Sequence, residues 1–299
     1  KTSSFPNNVR ILTADVESLY TNMNWHDTIA AVDSLLVNHP LRNLLLDLLK
    51  FVLENNYFIF DNILYHQEFG MAMGTPMAVN VANAFLFVHE MKSITTFKSS
   101  MHLFNRFIDD LILVIEESAN LAALQASLYS ELPSIKLNWT LPSDSCIFLD
   151  LDIFKTSNND HCVFEFRTFQ KPRNAYLYIP FISDHPRANL RAFIKAELLR
   201  YNRTNSRLAD IQHVRSLFWK RLRRRGYPPQ FLASSFTDVL PTVMNHAIES
   251  KTPKPKSDTI VFTTQYHPHF ITNDYKALIK QSFMKDGKIF FRRTKQLFY

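Results

Sequence analysis

The chain has 299 residues, enough for a large core and two or three subdomains, with 46% hydrophobic and 20% charged residues in an ordinary globular proportion. No apolar run approaches the length of a membrane span, and the opening "KTSSFPNNVR" has no apolar signal segment. The two cysteines, Cys146 and Cys162, are too few for a disulfide framework or a cysteine zinc site, so an intracellular setting is expected. The net charge of +7 conceals a split: residues 1–160 hold 9 Lys+Arg against 18 Asp+Glu, whereas residues 161–299 hold 25 against 9. Such a basic half points to a polyanionic partner, a solvated basic surface being the alternative.

In chain order, "VRILTADVESLY" (9–20) reads as a buried strand running into Asp15, followed by a turn. Asn24 is placed to cap a helix over 25–37, and "LRNLLLDLLKFVLEN" (41–55) has helical apolar spacing. "YFIFDNILYHQ" (57–67) reads as a hairpin turning at Asp61-Asn62. In "GMAMGTPMAVNVANAFLFVHEMK" (70–92), Thr75 as N-cap and Pro76 at the first helical position start a helix expected to end near Lys92. Of only four glycines, Gly70 and Gly74 both precede this helix, which implies close backbone approach or a positive φ there.

"RFIDDLILVI" (106–115) places Asp109 and Asp110 at the turn of an apolar hairpin. A helix is expected over 118–131, followed by one strand in "SIKLNWTL" (134–141) and one in "CIFLDLDIF" (146–154). The basic half has helical stretches over 187–201, 207–225 (ended by Gly226) and 229–250, then a linker-like "KTPKPKS" (251–257). In the second of these helices Leu208, Ile211, Val214, Leu217, Phe218 and Leu222 form the core-facing set, and Lys220, Arg221, Arg223, Arg224 and Arg225 crowd its end.

An Asp-Asp pair on its own is most simply a solvated turn. Here it is joined by a strand ending in Asp15 and a Gly-containing loop entering a helix, and nucleotidyl transfer needs that set of parts. Two Mg²⁺ ions about 4 Å apart activate the primer oxygen and neutralise the leaving pyrophosphate. Mg²⁺ is a hard cation that prefers carboxylate and carbonyl oxygens.

The segments "ADVESLYTN", "GMAMGTPMAVNVANAFLF" and "RFIDDLILV" resemble motifs A, B and C of reverse transcriptases, and residues 15–22 resemble the first motif of Penelope-like retroelements in particular. "CIFLDLDIF" is similar to the primer-grip segment of that family, and "KPRNAYLY", "DHPRANLRAFIKAELLR" and "RRRGYP" to its thumb, so the resemblance covers residues 1–275. It implies Asp15, Asp109 and Asp110 as catalytic metal ligands, joined by the Val16 carbonyl, with two Mg²⁺ ions as cofactor and Mn²⁺ as a substitute. Tyr20 matches the steric gate against a ribose 2′-hydroxyl, a core tyrosine being the alternative. Gly74, Thr75 and Pro76 match the loop against the incoming nucleotide, with Gln67 as an upstream contact. Lys136 sits where a general acid for pyrophosphate is implied, an ordinary surface lysine being the alternative. Phe107, Leu149 and the cluster Lys220, Arg221, Arg223, Arg224 and Arg225 are implied nucleic-acid contacts.

The sequence departs from the family at Phe107, where many relatives have Tyr, and in "MAVN" (77–80), where relatives have Ser-Pro later in the run. The chain begins 14 residues before Asp15, so the triphosphate-binding fingers are expected upstream, and no GIY-YIG endonuclease motif pair follows residue 275. The expected fold class is α+β: a right-hand polymerase palm over 1–166 with an antiparallel sheet and helices on one face, a basic helical thumb over 167–250, and a basic connector over 251–299. The implied function is RNA-directed DNA synthesis, with an RNA template, a DNA primer and dNTPs as partners, no membrane, and a nuclear location by family resemblance. The second reading is a non-catalytic nucleic-acid-binding derivative of such an enzyme, or a fragment inactive without its fingers. The intact acidic trio argues against it, and the expectation that the fingers lie upstream argues for it.

Overall fold

Alternating apolar residues in Val9–Val16 (β2) and a nearly continuous apolar run in Asp110–Glu116 (β6) build the centre of an antiparallel sheet. Met101–Phe107 (β5) and Leu137–Trp139 (β7) flank them in the order β5-β6-β2-β7. The computed structural model describes residues 4–157, 160–243, 259–265 and 288–294, and it divides into two units, Lys1–His246 and Ala247–Tyr299. The architecture is mixed α/β with antiparallel sheets.

One face of this first sheet carries helices. Trp25–Leu35 (α2), Arg42–Glu54 (α3), Ala78–Thr96 (α4) and Leu121–Ser127 (α5) bury Leu49, Leu53, Phe85, Leu86 and Leu124 against Leu12, Ala14, Leu111 and Leu113. Asn24 caps α2 as expected, its side chain accepting from the His26 and Asp27 amides. The hairpin Tyr57–Phe60 (β3) and Ile63–His66 (β4) turns at Asp61-Asn62, both with positive φ, the backbone that Asn and Asp tolerate best.

The opposite face meets a second sheet. Ser4–Phe5 (β1), Ser145–Phe148 (β8), Leu151–Ser157 (β9) and Cys162–Thr168 (β10) pair in the order β1-β10-β9-β8. Cys162, Cys146, Phe148, Ile153 and Phe164 pack there on Val9, Ile11, Ile112 and Val114. A bundle of Arg187–Arg203 (α6), Leu208–Arg224 (α7) and Pro229–Thr237 (α8) follows, cored by Leu190, Ile194, Tyr201, Phe218, Leu222 and Tyr227. The loop between α6 and α7 is sewn to β10: the Asn205 side chain accepts from the Thr168 amide and donates to its hydroxyl, and Ser206 exchanges bonds with the Phe166 backbone.

In the second unit Thr259–Gln265 (β11) and Lys288–Thr294 (β12) pair in parallel. The expected linker at 251–257 lies outside the described residues. Among the described residues no helix is long and apolar enough to cross a membrane.

Four element expectations are corrected. "CIFLDLDIF" is not one strand; it turns at Leu149 (φ 53°) to form the β8–β9 hairpin. The helix expected from Thr75 begins at Ala78: the Thr75 hydroxyl donates back to the Ala72 carbonyl (2.6 Å) in a preceding turn, and Met77 stands at the N-cap with no side-chain cap bond; the helix then runs past Lys92 to Thr96. The helix expected over 118–131 spans only Leu121–Ser127, since Tyr129 takes a left-handed φ of 56°. The helix expected to 250 stops at Thr237: Pro241 disfavours helical backbone at Leu240, whose carbonyl instead accepts from Asn202 (2.8 Å). Residues 244–250 lie outside the described residues.

Candidate active site

Strand alternation decides which side chains share a surface. Phe107, Asp110, Asp15 and Asn138 stand opposite one another across β5, β6, β2 and β7, on the face turned away from the helices. Two rows further along the same face, Leu103, Val114 and Ile11 are in register and covered by the second sheet. The face therefore passes from a closed apolar end to an open end bearing carboxylates. Asp15 is exposed and Asp109 and Asp110 are partly buried. Asp109 occupies the β5–β6 turn after Ile108 (φ 58°), and its carbonyl accepts from the Val16 amide at 3.0 Å.

The carboxylates feel one another. Burial, then the charge of Asp109, pushes the Asp15 pKa up from its ordinary value. Burial, then Asp109 and Asp15, does the same to Asp110. Among the described residues none of the three carboxylates is in an ion pair. Like charges gathered with no ion-pair partner among the described residues suit a hard divalent cation, so the donor chemistry fits Mg²⁺. The fit is one of donors and placement: among the described residues no three acidic, His or Cys side chains form a ready-made metal cage.

Tyr20 lies on the short helix Leu19–Asn22 (α1), entered through Ser18 at φ 49°. Burial and then the charge of Asp109 raise its pKa, which puts the phenol within electrostatic reach of the acidic site. The Gly70 loop docks on this helix. The Met71 amide donates to the Tyr20 carbonyl (2.7 Å), and the Trp25 indole donates to the Gly70 carbonyl (2.6 Å). A Cβ on Gly70 would lie 2.8 Å from Thr21 Cα, the Thr21 oxygen and the Tyr20 oxygen, so glycine is required for the approach. Gly74 has open space around it and needs glycine only for its φ of 92°.

Other predicted residues divide. Lys136 is exposed; its carbonyl accepts from the Glu17 amide, which extends the ladder beyond β7 and places Lys136 on the carboxylate face by alternation. Phe107 is 55% exposed beside Asp110, and Leu149 is exposed at the β8–β9 turn. Gln67 is engaged within the chain: its side-chain oxygen accepts from Asn56 (2.7 Å) and its side-chain nitrogen donates to the Phe69 carbonyl (2.8 Å), closing the base of the β3–β4 hairpin. The basic cluster is also less available than its composition implies. Arg221 donates to Gln170 and stacks on Tyr176, Arg223 donates to the Tyr227 carbonyl, and Arg225 donates to the Tyr178 carbonyl. Lys220 and Arg224 are the exposed members without such a partner among the described residues.

Sequence reasoning missed the group behind the site. Arg106, on the helix face of β5, pairs with Glu90 and Asn83 of α4, and Tyr129 donates to Glu90 at 2.8 Å. A lone arginine in an apolar strand and a lone glutamate in "AFLFVHEM" were the available signals, since buried charges need partners.

No family profile and no curated protein sequence matches the chain. Solved structures do. The telomerase of Candida albicans, in complex with a TWJ fragment of telomeric RNA, matches with a TM-score of 0.54 at 14% identity over 78% of this chain. The fold is similar to that of telomerase. The telomerase of Candida tropicalis matches with TM-scores of 0.41 (apo, truncated from its C-terminal domain; 13% identity, 49% of this chain) and 0.42 (with the TWJ fragment; 13% identity, 67% of this chain). This chain spans 40% of the first telomerase and 34% of each of the other two.

Proposed function

We propose that the chain is the palm and thumb of a reverse transcriptase of the Penelope-like type, adding dNTPs to a DNA primer on an RNA template. The observation that carries this reading is the facing pair Asp15–Asp110 with Asp109 fixed at the adjoining turn, three carboxylates that are in no ion pair among the described residues, at the open end of a sheet. The telomerase-like fold supports it, the matched Candida albicans telomerase being in complex with a fragment of telomeric RNA.

Asp15, Asp109 and Asp110, with the Val16 carbonyl, would hold two Mg²⁺ ions, with Mn²⁺ as a substitute. Bound there, the ions would supply the charge neutralisation that nucleotidyl transfer requires. The chain's own residues do the rest. Tyr20 excludes a 2′-hydroxyl beside the acids. The Gly74–Pro76 loop lies against the incoming nucleotide, and Lys136 protonates the departing pyrophosphate. Phe107 and Leu149 face the primer, while Lys220 and Arg224 follow phosphates without reading bases.

Primer extension on an RNA template with dNTPs and Mg²⁺ tests the reading. Extension by the wild type that Asp109→Asn abolishes, with duplex binding retained, supports it. Tight duplex binding with no extension by the wild type would leave the second reading, a non-catalytic derivative or a fragment inactive without its fingers, in its place.

A further inference from the structure

Asp109 is flanked by two carbonyls, and both are held. The carbonyl of Ile108 accepts from Arg106 Nη1 at 2.9 Å, and that of Asp109 itself accepts from the Val16 amide at 3.0 Å. Ile108 is β-branched and sits at φ 58°, a conformation costing roughly 1–3 kcal/mol that persists only where the surroundings impose it. Arg106 is the imposing group. Nε and Nη2 donate to the two Glu90 oxygens, Nη1 to Asn83 Oδ1 (2.7 Å) and the Ile108 carbonyl, and Nη2 also to the Asn83 carbonyl (3.2 Å). All five guanidinium donors are thereby used. Glu90 is fixed in turn by Tyr129, itself in a left-handed conformation, and burial followed by the Glu90 charge pushes the Tyr129 pKa upward.

Arg106 and Asp110 project from opposite faces of the sheet, so the network lies behind the turn and neutralises Glu90 rather than the site's acids. Buried ion pairs add little net stability over apolar residues of like volume; their best-attested use is to specify one arrangement. Asn83 and Glu90 also lie two turns apart on α4, the helix that follows the Gly74 loop, so one helix bears on both the loop and the acidic turn. We infer that Arg106, Glu90, Asn83 and Tyr129 are positioning residues that set the Asp109 turn for metal binding. This rests on the metal role proposed above for the carboxylates.

The test is a Mn²⁺ titration of the 299-residue chain followed by electron paramagnetic resonance, beside thermal melting by circular dichroism. Arg106→Lys keeps a charge for Glu90 but lacks the fork that reaches Ile108. It is expected to fold cooperatively and to bind Mn²⁺ about tenfold more weakly, the low end of what loss of an outer-shell partner costs. The double variant Arg106→Met with Glu90→Met, which removes the charges together, is expected to fold and show the same loss. Wild-type Mn²⁺ affinity in either folded variant overturns the inference, as does loss of folding in both, which would make the network part of the core alone. Asp109→Asn separates the two levels. If it leaves Mn²⁺ binding unchanged, the metal reading falls and the inference with it. If it removes binding while the network variants bind as wild type, the inference alone fails.

Discussion

Gly70→Ala and Gly74→Ala make a matched pair, because the two glycines share positive φ but not surroundings. At Gly74 (φ 92°) an added methyl meets nothing within 4 Å, so alanine bears only the left-handed backbone cost, about 1–2 kcal/mol. At Gly70 (φ 74°) the methyl meets three backbone atoms of Tyr20 and Thr21 at 2.8 Å, and backbone cannot swing away as a side-chain tip can. Forced backbone shifts of this kind add roughly 1–3 kcal/mol. Gly70→Ala should therefore destabilise by about 2–5 kcal/mol in total, exceeding Gly74→Ala by about 1–3 kcal/mol. Urea denaturation followed by tryptophan fluorescence reads the difference as a shift in midpoint at constant slope. The shift also loosens the Met71–Tyr20 and Trp25–Gly70 hydrogen bonds, so Gly70→Ala should also impair sugar discrimination through Tyr20. Equal destabilisation of the two variants would refute the close-approach argument.

Tyr20→Ala should raise ribonucleotide incorporation relative to deoxynucleotide in single-turnover assays, with modest loss of ordinary synthesis; unchanged discrimination would return Tyr20 to the core. Lys220→Ala with Arg224→Ala should flatten the salt dependence of duplex binding by roughly 0.9 in log–log slope for each phosphate no longer neutralised, whereas Arg221→Ala should act mainly on stability through Gln170 and Tyr176. For Asp110 the sign follows from its raised pKa: between the unfolded and folded values the native state binds more protons, so stability falls as pH rises through that window. Asp110→Asn should accordingly raise the metal-free melting temperature at neutral pH, and the gain should vanish below the ordinary carboxylate range; a gain independent of pH would contradict this.

What the sequence made legible was local chemistry. Asp61-Asn62 and Asn24 are residues whose side chains and φ preferences settle a turn and a cap without help from the rest of the chain. The acidic site was readable for a related reason: alternation in "RILTADV" and "DLILVI" leaves Asp15 and Asp110 on one face once the strands pair. The failures are tertiary. Nothing local in Leu149-Asp150 announces a hairpin, because no Gly or Asn supplies the positive φ; the β8–β9 pairing does. Thr75 has the residue type of a cap, yet it lies in a turn closed onto the Ala72 carbonyl and the helix starts three residues later. Arg221 and Arg225 counted as surface charge, yet Gln170, Tyr176 and the Tyr178 carbonyl draw them onto the bundle. The Arg106–Glu90 pair could be suspected from either residue but not matched, since β5 and α4 meet only in the fold.

RNA-templated addition of a single nucleotide tests the central claim most directly. Four primer–template duplexes differing only in the first templating RNA base are each offered one labelled dNTP at a time with Mg²⁺. The account predicts addition only of the complementary deoxynucleotide, lost in Asp15→Asn and Asp109→Asn. Addition that ignores the template base, or that survives both substitutions, would contradict it.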